Sequence, residues 1–300
     1  MITKSKMLIV GDNPFQNISH LSQQRARERE IKLNDPKYAA EVIVTGVENG
    51  AEGFLFTVSD KNLSILRNID PQKLTMPLKL YAISPYSFEY VRLAVRLGGM
   101  PALAKNVGMK VISSRNATAA ALGILGVIRN NPRALFRAFM SYEESRIRAT
   151  VIGGKLELKS ILLHEVVTDM ALGLGMDWLF KEHITVTKKF GLTPGFDTRN
   201  LPFLVRRFKE WGIDPTGFVI IAPFNSIGFQ MSPSREDCEN SLKELPNTVV
   251  FAFSLLAAGY LKPSQAVEYI KSLPSLNGVV FGVSSTEQAA KTFSTMSAEL

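Results

Sequence analysis

Cysteine is almost missing: Cys238 is the only one in 300 residues. That excludes an internal disulfide and a cysteine-built metal site. Histidine is scarce as well, with three, and they show neither His-x-His nor His-Glu-x-x-His spacing, so no zinc-type signature is present. No uncharged apolar run approaches the roughly 18 residues a membrane-spanning helix needs. The most apolar stretch, residues 117–128, is too short and is closed by Arg129. The first seven residues carry two lysines but lead directly into a strand-like segment, without the apolar core and cleavage site of a secretion signal. A cytoplasmic location with no membrane partner is the expectation. A Gly-x-Gly-x-x-Gly fingerprint after the first strand candidate is also lacking, which argues against a dinucleotide-binding open sheet.

What is present is an ordinary globular balance, 46% apolar and 21% charged, with a net charge of +8. The basic residues gather at Arg25, Arg27, Arg29 and Lys32, and again at Arg129, Arg133, Arg137, Arg146 and Arg148. Glu28, Glu30, Glu143 and Glu144 interrupt both groups, and aromatic residues do not interleave with them. The pattern therefore argues against a nucleic-acid partner and for solvated helix faces that attract small anionic metabolites.

Short β-branched runs recur along the chain at 7–11, 53–58, 78–83, 158–163, 190–193, 217–222, 248–253 and 278–281. Runs such as Phe218-Val219-Ile220-Ile221-Ala222 are apolar throughout rather than alternating. Strands covered on both faces look like this, as parallel strands under helices must. Helical patterns separate the runs at 36–49, 169–189, 200–211, 232–245, 263–273 and 285–293, with apolar spacing at Leu201, Leu204, Val205 and Phe208 as one example. Eight strand–helix alternations predict an α/β fold closed as a (β/α)8 TIM barrel, a single domain over 1–300. The interval 84–157 breaks the rhythm. Helices are expected there at 87–97, 117–129 and 132–148, forming a helical insertion between the third and fourth strands over the barrel mouth. Such insertions often serve as lids or oligomer contacts, so a homo-oligomer stays open.

In this architecture function sits at the C-terminal ends of the strands. The candidate catalytic residues are Asp12, Asp60, His164, Glu165 and Asp197, with Asn13, Asn17, His20, Tyr86 and Asn225 on the same side. Each has a plainer reading: Asp12 and Asp60 as caps or turn formers, Glu165 as an ion-pair partner. His164 ends the run 160–163 beside Glu165 and suits general acid–base work near neutral pH, or a structural place on the rim. His183 lies inside a helical pattern and reads as structural. The acids and His164 could also converge on a divalent metal. A Schiff-base aldolase is disfavoured, because Lys79 stands near the start of its strand and no lysine ends one.

The segment Phe281-Gly282-Val283-Ser284-Ser285-Thr286 joins a strand to a helix start. Gly282, Ser284 and Ser285 there suit an anion pocket, with a simple helix cap on Ser285 as the alternative. Phe253-Ser254-Leu255-Leu256-Ala257-Ala258-Gly259 and Gly282-Val283-Ser284-Ser285 resemble the seventh- and eighth-strand segments of aldo/keto reductases. Ile161-Leu162-Leu163-His164 resembles the fourth, which ends in their active-site histidine. The resemblance covers the chain from about residue 158 onward. It implies a TIM barrel, and a nicotinamide-phosphate site at Ser254, Gly259, Gly282, Ser284 and Ser285. The family's catalytic tyrosine is missing from Phe56-Thr57-Val58-Ser59-Asp60, its lysine from Tyr81-Ala82-Ile83-Ser84, and its adenine-contacting asparagine is replaced near Thr292. Three functions remain. The first is a non-redox lyase, isomerase or hydrolase with a phosphorylated or anionic ligand at the eighth strand. The others are a divergent NADP-dependent oxidoreductase and a non-catalytic small-molecule-binding barrel. The missing redox proton donor favours the first.

Overall fold

The structure, a computed structural model, describes residues 5–16, 32–113, 116–129, 131–151 and 153–300. Asn17 and His20 lie outside the described residues.

Eight parallel strands close into a barrel in chain order, with β1 (Met7–Gly11) hydrogen-bonded to both β2 (Gly53–Thr57) and β8 (Gly278–Gly282). Between them run β3 (Leu78–Ser84), β4 (Leu156–Leu163), β5 (Thr193–Asp197), β6 (Val219–Pro223) and β7 (Val249–Phe253). The continuous apolar strands hide a two-residue alternation. Ile9, Leu55, Tyr81, Ile83, Leu162, Val219, Ile221, Phe251 and Val280 form one buried cluster that fills the barrel. Their neighbours Leu8, Val10, Phe54, Phe56, Leu80 and Ile220 belong to a second cluster beneath the helices. Both faces are apolar because both are covered.

The outer helices are α1 (Pro36–Glu48), α2 (Asp60–Arg67), α3 (Ser87–Leu97), α4 (Met100–Ser113), α5 (Ala117–Ile128), α6 (Pro132–Arg148), α7 (Glu165–Gly173), α8 (Asp177–Lys189), α9 (Leu201–Glu210), α10 (Arg235–Lys243), α11 (Pro263–Lys271) and α12 (Thr286–Glu299). Side-chain caps start many of them: Asp35, Ser59, Asn131, His164, Asn200, Ser234 and Ser285 each accept a backbone N–H from the first turn. Four helices, α3 to α6, stand between β3 and β4. The sequence pattern brings out three of them. It misses α4 because Gly98-Gly99 reads as punctuation, although Pro101 is the second residue of the helix, where no N–H is needed. Helix α6 buries Ala138, Met140 and Ile147.

The fifth strand corrects the sequence expectation. Residues 190–193 were expected to form it, but Phe190 caps α8, and Gly191 turns the chain at φ +73°. The strand is Thr193–Asp197, built through Pro194 and Gly195, which read locally as a turn. Packing overrides that local signal. A Cβ on Gly195 would stand 2.5 Å from Leu162 Cγ and 2.7 Å from Ser160 Oγ, so β4 leaves room inside the barrel for glycine alone. The shift makes Asp197 the last residue of a strand rather than part of a loop.

Candidate active site

The inward alternation continues past the apolar layer and selects the polar residues above it. Counting in twos from Leu55, Leu162 and Gly195 reaches Thr57, His164 and Asp197. All three line one cavity of about 420 Å³ at the C-terminal ends of the strands. Asp12 and Glu165 line it too, with Tyr86, Phe88, Arg92, Arg199, Gln230 and Phe253. Four of the five acid–base candidates are therefore brought together.

Asp12 is buried, and its Oδ2 accepts from Thr57 N at 2.8 Å, Thr57 Oγ1 at 2.7 Å and Asn62 Nδ2 at 2.6 Å. Loss of water raises its proton affinity above the ordinary value, a rise that these three donors reduce without cancelling. All three of these bonds fall on one oxygen, Oδ2. Asp197 sits across the barrel, equally buried but with weaker compensation. Burial, reinforced by the nearby Glu165 charge, raises its proton affinity well above the usual carboxylate range. Its Oδ1 is buried without a hydrogen-bond partner. A carboxyl so placed favours its protonated form, which has an O–H to donate.

His164 is 4% exposed and caps α7. Its Nδ1 accepts Val166 N–H at 3.2 Å, which leaves the ring proton on Nε2. Burial lowers its proton affinity, Glu165 opposes that, and Arg199 adds to it. The ring is neutral at pH 7 and presents an N–H donor. Phe88 meets it edge-on at 5.5 Å, and the Tyr86 ring lies 6.3 Å away. Glu165 is ion-paired with Arg199 Nε. Arg199 also donates from Nη1 to Gln230 Oε1 at 2.6 Å and stacks 4.5 Å over the Phe253 ring. Asp169 fixes the turn that carries it, accepting Arg199 N at 3.0 Å.

Other expected residues fall outside. Asp60 is not in the cavity: Ser59 takes the cap of α2, so Asp60 begins the helix, 85% exposed, and pairs with Arg146 at 2.6 Å. The residues expected to form an anion pocket at the eighth strand stand apart from this cavity. Gly282, Ser284, Ser285 and Gly259 do not line the cavity. Ser284 N and Oγ both donate to Gln288 Oε1, at 3.0 and 2.9 Å, and Ser285 Oγ accepts Gln288 N. The close approach Gly282 permits is to Pro14, 3.1 Å from where its Cβ would be. Ser254 reaches the site only through Gln230 Oε1, at 2.9 Å. Asn225 turns back on its own loop, bonding Phe229 N and O. Among the described residues, no group of three or more His, Cys, Asp or Glu is arranged to hold a metal ion. His183 is buried and structural: its Nε2 bonds Gly195 O at 2.9 Å, and burial lowers its pKa to about 4.

Sequence reasoning misses Arg199, Arg92, Phe88 and Gln230. Arg199 follows Asp197 by two residues, and a correctly placed fifth strand would have put it on the rim.

No family model and no curated protein matches the chain. Solved structures do. A candidate aldo-keto reductase from Pseudomonas aeruginosa superposes with a TM-score of 0.57 at 11% identity, over 97% of this chain and 90% of that one. The glycerol dehydrogenase of Gluconobacter oxydans gives 0.53 at 11% identity, over 96% and 85%. An aldo-keto reductase from Bacillus halodurans gives 0.52 at 9% identity, over 89% and 83%. At such identity the likeness establishes an aldo/keto reductase-like TIM barrel and nothing about the reaction.

Proposed function

We propose that this barrel is an enzyme of small-molecule metabolism that moves protons on an anionic carbonyl compound without redox chemistry, as an isomerase or lyase does. One observation carries the reading. Two buried carboxyl groups on opposite sides of one cavity differ in their hydrogen bonding: Asp12 Oδ2 accepts three donors, whereas Asp197 Oδ1 has no partner. Environments that separate two carboxyls in this way assign one as base and the other as acid. Asp12 Oδ1 would take a proton from the carbon beside the carbonyl. The His164 Nε2–H would polarise the carbonyl oxygen, and Asp197 would return a proton. Arg199, with Arg92 at the rim, would hold the anionic group, in place of Ser284 and Ser285. Hydrolysis is less well supported, because no serine or cysteine is among the described residues lining the cavity.

NADP-dependent reduction is the second reading. The aldo/keto reductase-like fold and the Tyr86 phenol beside His164 favour it. Against it, the serines that would hold the cofactor phosphate already bond Gln288.

The two separate in deuterium oxide. The protein is incubated with anionic ketones, aldehydes and 2-oxo acids, without cofactor, and loss of the α-proton signal is followed by NMR. Exchange with one compound class, abolished by Asp12→Asn, is the expected result. No exchange, with NADPH consumed against a carbonyl compound, would establish the reductase instead.

A further inference from the structure

Residues 87–137, from α3 into α6, hold eight basic residues and a single acidic one, Glu89. That excess of seven nearly equals the net +8 of the whole chain. The same stretch holds eight of the thirteen large hydrophobic side chains that stand exposed among the described residues. Either feature alone is ordinary; their occurrence together along one stretch of helices is not. Helix α3 exposes Val91 and Val95, one turn apart, at 61% and 78%, and Arg92 and Arg96 alternate with them. Helix α4 exposes Met109 one turn after Lys105. Helix α5 has no charged residue at all, yet it turns Ile124 and Leu125 to solvent just before Arg129. Arg96, Lys105, Arg129 and Arg133 form no ion pair among the described residues.

We infer that α3 to α6 form a docking face for an anionic lipid surface, on which the protein lies peripherally. No helix of the described residues is long and apolar enough to cross a bilayer, but adsorption needs none. Apolar side chains enter the interface while arginine and lysine stems bury beside them and keep their charges among the phosphates. Each basic residue near such a surface contributes about 1 kcal/mol, roughly a fivefold gain in partition. The charge also decides between occupants. A symmetric dimer through this face would set its positive charge against itself, whereas an anionic bilayer complements it. A nucleic acid would satisfy the charge but leave the exposed valines, Ile124 and Leu125 unexplained. Phe88 and Arg92 belong both to α3 and to the cavity lining, so the site opens beside the docked face. The inference does not depend on which reaction the cavity performs.

Vesicle flotation of the full-length protein tests it. Binding is expected to phosphatidylcholine vesicles in which a third of the lipid is phosphatidylglycerol, to be lost at raised salt, and to be absent from pure phosphatidylcholine. Arg96→Gln with Lys105→Gln, neither in the cavity, should weaken partition about 30-fold. Val95→Ser with Ile124→Ser should weaken it about tenfold, with melting temperature and circular dichroism unchanged. No binding to the anionic vesicles would overturn the inference, as would equal binding to both vesicle types or variants that bind like the wild type. A dimer that Val95→Ser and Ile124→Ser dissociate would make a second copy the occupant. Binding to RNA but not to vesicles would make the face a nucleic-acid surface.

Discussion

Two corners of the barrel mouth read alike as sequence and differ as structure. The β4–β5 corner carries His164, Glu165, Asp197 and Arg199, and the β8 corner carries Gly282, Ser284 and Ser285. Each joins a strand end to a helix start with hydrogen-bonding side chains. At β8 both Ser284 donors bond Gln288 Oε1, and Ser285 Oγ accepts Gln288 N. At β4–β5 a carboxylate oxygen is buried without a partner, and a neutral imidazole N–H faces the cavity. Leaving a buried polar group unpaired costs about 1–3 kcal/mol. That difference is what the proposed ligand position at the β4–β5 corner rests on.

Replacing Asp197 with Asn is the strongest way to break this contrast. Turnover should fall about 100-fold or more, the usual scale of one acid–base group. Stability should move the other way. Burial raises the Asp197 proton affinity above its unfolded value, so its contribution is present at low pH and is lost as pH rises above about 3.8 toward the folded value. Asparagine removes that loss, and the variant should melt higher than the wild type at pH 7. A lower melting point at pH 7 would mean that Asp197 is ionised and paired in the fold.

The next effect lies beneath the same corner. The His183 pKa falls from 6.5 to about 4 in the fold. The unfolded chain therefore takes up the proton first, and stability should be lost as pH falls from about 6.5 toward 4, by about 3 kcal/mol at the limit. Urea unfolding at stepped pH should show this slope, and His183→Gln should flatten it. An unchanged slope would shift the acid sensitivity to other groups, His164 first.

Ser285→Ala is the smallest test and addresses the closed corner. Losing the cap of α12 should cost about 1 kcal/mol of stability and leave turnover and phosphate affinity unchanged. Calorimetry that finds phosphate bound to the wild type and not to this variant would invert the comparison, and the β8 corner would become the ligand site.

The barrel was legible because parallel strands under helices must be apolar on both faces, and runs such as Phe218 to Ala222 have no other use. The position of β5 was not, because Pro194 and Gly195 signal a turn locally and only the volume of Leu162 explains the glycine. That slip also hid Arg199. The acids at the strand ends could be located by order alone, which brought in Asp12, Glu165 and Asp197. Order cannot tell whether a side chain points inward, and Asp60, one residue past its cap, points out. The β8 pair was ambiguous for a different reason. A serine that binds a ligand and a serine that caps a helix are the same letter, and only the acceptance of both Ser284 donors by Gln288 separates them.

The pairing of β1 with β8 also sets the order of events in folding. Met7 finds Gly278 and Gly11 finds Gly282 across almost the whole chain, a contact whose loop-closure cost comes late. During synthesis β8 leaves the ribosome after every other strand. Until then β1 and β7 each present an open row of backbone donors and acceptors, the kind of edge that pairs with the wrong chain. A stalled or shortened chain ending before residue 278 would keep both edges, so its hazard is aggregation rather than a milder loss of stability.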